Sequence, residues 1–88
     1  MVWTVHVHVG VRKQLEAIPP DRRKRILDDL FALNEDPFRG LVKPLKGKEN
    51  KGRYRKVSGR YRIIFKPVHA TFTVEVLAVL LRNESTYR

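Results

Sequence analysis

Eighty-eight residues with 42% apolar content suffice for one small domain around one core, and exclude both a disordered chain and a multidomain protein. There is no cysteine, so disulfides and thiolate metal sites are excluded, and no stretch approaches the ~20 apolar residues that span a bilayer. The formal charge of +10 lies wholly in residues 39–66, where eleven basic side chains meet one acid, Glu49, while the segments on either side are neutral.

The N-terminal segment alternates. Trp3, Val5, Val7 and Val9 share one face, and Thr4, His6 and His8 the other, which predicts a half-buried strand over Val2–Val9 broken by Gly10. It lacks the basic start and long apolar run of a secretory signal, so a soluble cytoplasmic protein is expected. Val11, Leu15 and Ile18 then form the stripe of a short helix that Pro19-Pro20 ends. A second helix runs to about Asn34, opened by Asp21 as N-cap or by Pro20 as an early helical position. Its stripe is Ile26, Leu30 and Leu33, widened by Leu27 and Phe31. Residues 35–52 read as loop, with Asp36-Pro37, Gly40, Pro44, Gly47 and Gly52. Two strands follow, about Arg53–Val57 and Arg60–Lys66, joined by Ser58-Gly59. After a turn at Pro67–Ala70, Phe72–Leu81 is apolar on both faces except at Glu75, which predicts a central strand. The tail from Arg82 is polar.

A turn at Ser58-Gly59 sets Val57 opposite Arg60, Arg55 opposite Arg62 and Arg53 opposite Ile64. One sheet face then carries Arg53, Arg55, Arg60, Arg62 and Lys66. The other carries Tyr54, Tyr61, Ile63 and Phe65, with Lys56 near the turn. Like charges set directly opposite call for an anion or for water between them, and arginine's planar fork suits phosphate. Lys46, Lys48 and Lys51 in the preceding loop extend this footprint for a polyanion. The bland alternative is a solvated basic surface. His6 and His8 share a strand face, but no carboxylate or thiol accompanies them, so exposed histidines are a better reading than zinc ligands. The chain has no Gly-rich phosphate loop, no nucleophile motif and no paired carboxylates, and neither metal nor cofactor is expected.

Within the order β-α-α-β-β-β with a basic hairpin stand Lys13-Gln14-Leu15 with Ile18-Pro19, then Pro44-Leu45-Lys46-Gly47, Tyr54-Arg55, Gly59-Arg60-Tyr61-Arg62-Ile63-Ile64-Phe65, and Arg82 with Tyr87. On these residues the chain resembles the RelE/ParE superfamily of toxins from toxin–antitoxin systems. The resemblance spans nearly the whole chain. It implies a single α+β domain over residues 1–88, with an N-terminal strand and a helical hairpin packed on a twisted, mainly antiparallel four-stranded sheet. In RelE-like members it implies a metal-independent endoribonuclease that enters the ribosomal A site, where the ribose 2′-hydroxyl of the mRNA attacks the adjacent phosphate. By position it assigns catalysis to Arg55, Arg62, Arg82 and Tyr87, with RNA binding by the basic residues around them: Lys46, Lys48, Lys51, Arg53, Arg60 and Lys66. Two departures stand out. Val57 occupies a position that is often basic, and Leu81 one that is often histidine, so a lysine of lowered pKa, Lys56 or Lys46, is the candidate general base. ParE-like members share the fold and poison DNA gyrase instead, and an RNA-binding module without chemistry is a third possibility. A cognate antitoxin with an acidic, partly disordered segment is the implied protein partner, beside mRNA and the ribosome.

Overall fold

The computed structural model describes residues 2–81, so Arg82 and Tyr87 lie outside the described residues. The elements are β1 (Thr4–Val7), α1 (Val9–Glu16), α2 (Pro20–Glu35), β2 (Val42–Pro44), β3 (Tyr54–Ser58), β4 (Tyr61–Val68) and β5 (Thr73–Leu81), with a single 3₁₀ turn at Lys48–Asn50. The architecture is α+β, as expected, but the sheet has five strands in the order β1-β5-β4-β3-β2. The additional strand is β2, inside the segment read as loop. It pairs with β3 through Val42↔Lys56, Lys43↔Arg55 and Pro44↔Tyr54. Proline is tolerated there because β2 is an edge strand. Among the described residues, no helix is long and apolar enough to cross a membrane.

β1 ends at Val7, earlier than the alternation suggested. His8 keeps extended geometry and caps α1, and its carbonyl accepts the N–H groups of Val11 (3.0 Å) and Arg12 (3.2 Å). Gly10 therefore lies in the first helical turn instead of breaking the strand, and Val9 is exposed. Pro20 is the first residue of α2, where its missing N–H costs nothing, and Asp21 follows in the first turn beside the positive end of the helix dipole. The Arg23 guanidinium reaches back from α2 to the end of α1 and the turn after it, donating to the carbonyls of Glu16 at 3.3 Å and Ile18 at 2.9 Å. That ties the two helices at their shared end.

Both helices pack on one face of the sheet, α1 over β5 and α2 over β1 and β3. Val11, Leu15, Ile18, Ile26, Leu30 and Leu33 meet Trp3, Ile63, Phe65, Val74, Val76 and Val79 in one buried cluster. The stripe of α2 is narrower than expected. Leu27 and Phe31 are exposed and line a groove beside β1 with Val2, Trp3 and Val5. At the far end of α2, the Trp3 N–H donates to the Asn34 carbonyl (2.7 Å), and the Asn34 amide returns a bond to the Trp3 carbonyl. Aromatic rings close this end of the sheet. Trp3 meets His69 and Phe72 edge-on, and Phe38 bridges His69 and Tyr54.

β5 is flanked on both sides, parallel to β1 and antiparallel to β4, which explains its apolar run. The β4–β5 ladder shifts register between Ile64↔Ala78 and Phe65↔Val76, leaving Leu77 as the extra residue. β1 covers β5 only as far as Val76. Beyond that point the Val79 N–H donates to the Gln14 side chain of α1 at 3.1 Å. Gln14→Leu leaves this donor buried without a partner. We expect it to cost about 1–3 kcal/mol in urea unfolding, while Gln14→Glu, which keeps an acceptor, costs less.

Candidate nucleic-acid interface

The β3–β4 hairpin turns one residue later than its sequence suggested. Ser58 pairs with Tyr61, so the two-residue loop is Gly59-Arg60. Gly59 has φ +60°, the backbone geometry that the first central position of a hairpin loop demands. The pairing is thereby displaced by two residues. Arg55 faces Ile64, and Arg62 faces Val57. Side chains alternate with a period of two, so this displacement preserves the faces. Arg55, Arg62 and Lys66 share the open face, and Ile63 and Phe65 sit in the core beneath the helices.

The consequences for the site are specific. Arg55 and Arg62 no longer confront each other directly but lie diagonally, two residues apart along the strands, which removes the enforced like-charge contact. A different pair takes that place. Lys43 of β2 lies opposite Arg55, a cation that the loop reading of residues 35–52 missed. Its signal was the short alternation Val42-Lys43-Pro44, which means nothing until β2 is paired. Arg62 is 8% exposed and Arg55 is half-buried, so both guanidinium stems are held by packing.

The loop between β2 and β3 extends the hairpin. The Leu45 N–H donates to the Arg53 carbonyl (3.0 Å), and the Asn50 side chain donates to the Lys46 carbonyl (2.8 Å). Lys46, Lys48, Lys51 and Arg53 are all exposed around this loop, next to the arginine-bearing strands. Arg60 departs from expectation. As a turn residue it leaves the open face and lines a cleft with Arg22 and Arg25 of α2, beside Ser58 and Tyr61.

Lys56, a candidate general base, sits on the other side of the sheet. It is 5% exposed under α2, and its Nζ donates to the Asp29 carbonyl at 3.2 Å. The β2–β3–β4 ladders run without a bulge at this position, so the sheet itself separates Lys56 from Arg55 and Arg62. Burial pushes its pKa below 10.5, Asp29 and Asp36 pull it back up, and Arg39 adds to the depression. A depressed ammonium pKa means that the unfolded chain binds more protons between the folded-state pKa and 10.5. Stability therefore rises with pH through that window, and below it the full cost of burying the charge remains. Lys56→Met keeps the stem and removes the charge. We expect it to fold with unchanged or higher stability at neutral pH, by up to about 1–2 kcal/mol, and to lack the alkaline rise expected of the wild-type urea midpoint.

No family model matches the chain, and no curated protein matches it in sequence. Solved structures do. The RelBE2 toxin–antitoxin complex of Mycobacterium tuberculosis matches with a TM-score of 0.82 and 26% identity over 93% of this chain and 100% of that one. The archaeal RelE–RelB complex of Pyrococcus horikoshii matches with a TM-score of 0.81 and 25% identity, covering 96% and 99%. A YoeB/ParE toxin from Agrobacterium tumefaciens matches with a TM-score of 0.73 and 17% identity, covering 91% and 99%. The basic sheet backed by a helical pair is thus the toxin fold of these complexes. In fold the chain is similar to the toxins of the RelE/ParE superfamily.

Proposed function

We propose that this chain is the toxin of a toxin–antitoxin pair and that it cleaves mRNA in the ribosomal A site, in the cytoplasm. The observation that carries the reading is the open sheet face, where Arg55 and Arg62 stand on adjacent strands with Lys43 and Lys66 around them. Guanidinium groups fixed on strands stabilise charge that develops on a phosphate, and rigid placement is what gives such groups catalytic value. In the reaction the ribose 2′-oxygen bonds to the adjacent phosphorus, the P–O5′ bond breaks, and the products end in a 2′,3′-cyclic phosphate and a 5′-hydroxyl. Arg55 and Arg62 hold the equatorial oxygens, and the resemblance assigns Arg82, next in sequence after β5, to the same charge. Tyr87 stacks on the neighbouring base. Lys46, Lys48, Lys51, Arg53 and Lys66 bind the flanking backbone. With Lys56 on the far side, Lys46 is the remaining candidate base. No step calls on a metal ion.

An antitoxin with an acidic segment complements the +10 surface and would occupy the same face as RNA. The second reading is gyrase inhibition, favoured by the likeness to the YoeB/ParE toxin. Purified chain added to mRNA-programmed ribosomes, beside a gyrase supercoiling assay, separates the two. Site-specific cuts with untouched supercoiling support the ribonuclease, and the reverse result overturns it.

A further inference from the structure

The parallel pairing of the first and last strands supplies the ligand that the two N-terminal histidines lacked in the sequence. His6 lies opposite Glu75 in the β1–β5 register. His8, at the cap of α1, places Nε2 3.8 Å from Glu75 Oε1, and the His6 and His8 rings are 5.7 Å apart. One ligand atom from each of the three side chains falls within 4.8 Å of the others.

We propose that His6, His8 and Glu75 form a binding site for a divalent transition-metal ion, zinc in particular. Zinc takes imidazole nitrogen and carboxylate oxygen at about 2.0–2.2 Å, so the donors of a tetrahedral centre stand roughly 3.3 Å apart. The present spacing closes to that value by side-chain rotation alone, because the His8 and Glu75 side chains are 43% and 37% exposed and the backbone already holds the strands in register. Two imidazoles and one carboxylate leave the fourth position to water. This donor set selects zinc over calcium and magnesium, which demand oxygen ligands. The cations that face the site are Lys66, opposite Glu75 on β4, and Arg12 of α1, which lines the adjoining pocket with His6 and His8. They oppose the ion and keep its affinity moderate.

The site shares the open face but is remote from the arginines. Arg62 pairs with Leu80, five residues along β5 from Glu75, a separation of roughly 15 Å. The ion would clamp the edge strand β1 to β5. This inference does not depend on the ribonuclease reading.

The test uses the untagged full chain. Calorimetric titration with zinc chloride should show one saturable equivalent, and cobalt should give the visible absorption of a low-coordinate centre. His6→Ala and Glu75→Gln should each weaken zinc binding at least about tenfold. Both side chains reach the surface, and neither change removes a backbone hydrogen bond between β1 and β5. Zinc at about 100 times its Kd should raise the wild-type Tm by ~15 °C, and that rise should vanish in His6→Ala. Equal binding by wild type and both variants would place the ion elsewhere and overturn the assignment. So would the absence of saturable binding to wild type.

Discussion

Arg62→Ala should lower cleavage on programmed ribosomes by about 10²–10³-fold, the usual loss on removing one preorganised donor from a charge-stabilising site, while the protein stays folded. Arg62 lies on β4, which is paired on both sides, to Val57 of β3 and to Leu80 of β5. Its guanidinium therefore has a fixed origin, and burial to 8% restricts its stem. The side chain belongs to the open face and not to the helix-covered core, so truncation removes charge without emptying the core. Arg62→Lys restores the charge but not the planar fork, and should recover only part of the rate. Thermal unfolding run in parallel separates chemistry from stability. Wild-type cleavage by a folded Arg62→Ala would remove this residue from the mechanism.

Phe65→Ala should be the most damaging change to stability. The ring is fully buried on β4, stacks on Tyr54 at 5.9 Å, and sits between Tyr54 of β3 and Val76 of β5 in the ladders. Deleting a buried phenyl group costs about 3–5 kcal/mol. A domain of this length has only roughly 4–13 kcal/mol in total. We expect the Tm to fall by about 15–30 °C and the protein to be largely unfolded at physiological temperature if its stability lies at the low end. A drop below 5 °C would mean that the helices resettle over the gap.

The faces of the sheet were readable from the chain because side-chain direction has a period of two. Arg55, Arg62, Ile63 and Phe65 could be sorted without knowing the turn. The turn itself was not readable. Ser58-Gly59 and Gly59-Arg60 both fit a two-residue loop, and only the positive φ of Gly59 at the first central position decides between them. That one-residue choice moved the pairing by two and sent Arg60 off the open face. β2 was hidden for a related reason. Three residues between Gly40 and Gly47, one of them proline, carry too little periodicity to be recognised, and pairing with β3 is what makes them a strand. The His6–His8–Glu75 group could not be seen because its members meet only through a parallel pairing of the chain's two ends. Gln14 belongs to the same category. Its bond to Val79 spans 65 positions.

The place of β5 between β1 and β4 also governs how the molecule comes into being. Translation delivers the strand that joins the sheet last. Until Thr73–Leu81 leave the exit tunnel, β1 has no partner, α1 has no floor, and the helical pair faces an incomplete sheet. Long-range strand pairing of this kind is slow to form, because loop closure must precede any gain. A ribosome making this chain therefore holds an unfinished sheet until β5 has emerged. Folding completes only after that strand is free, and a partner that binds the finished sheet must wait for it.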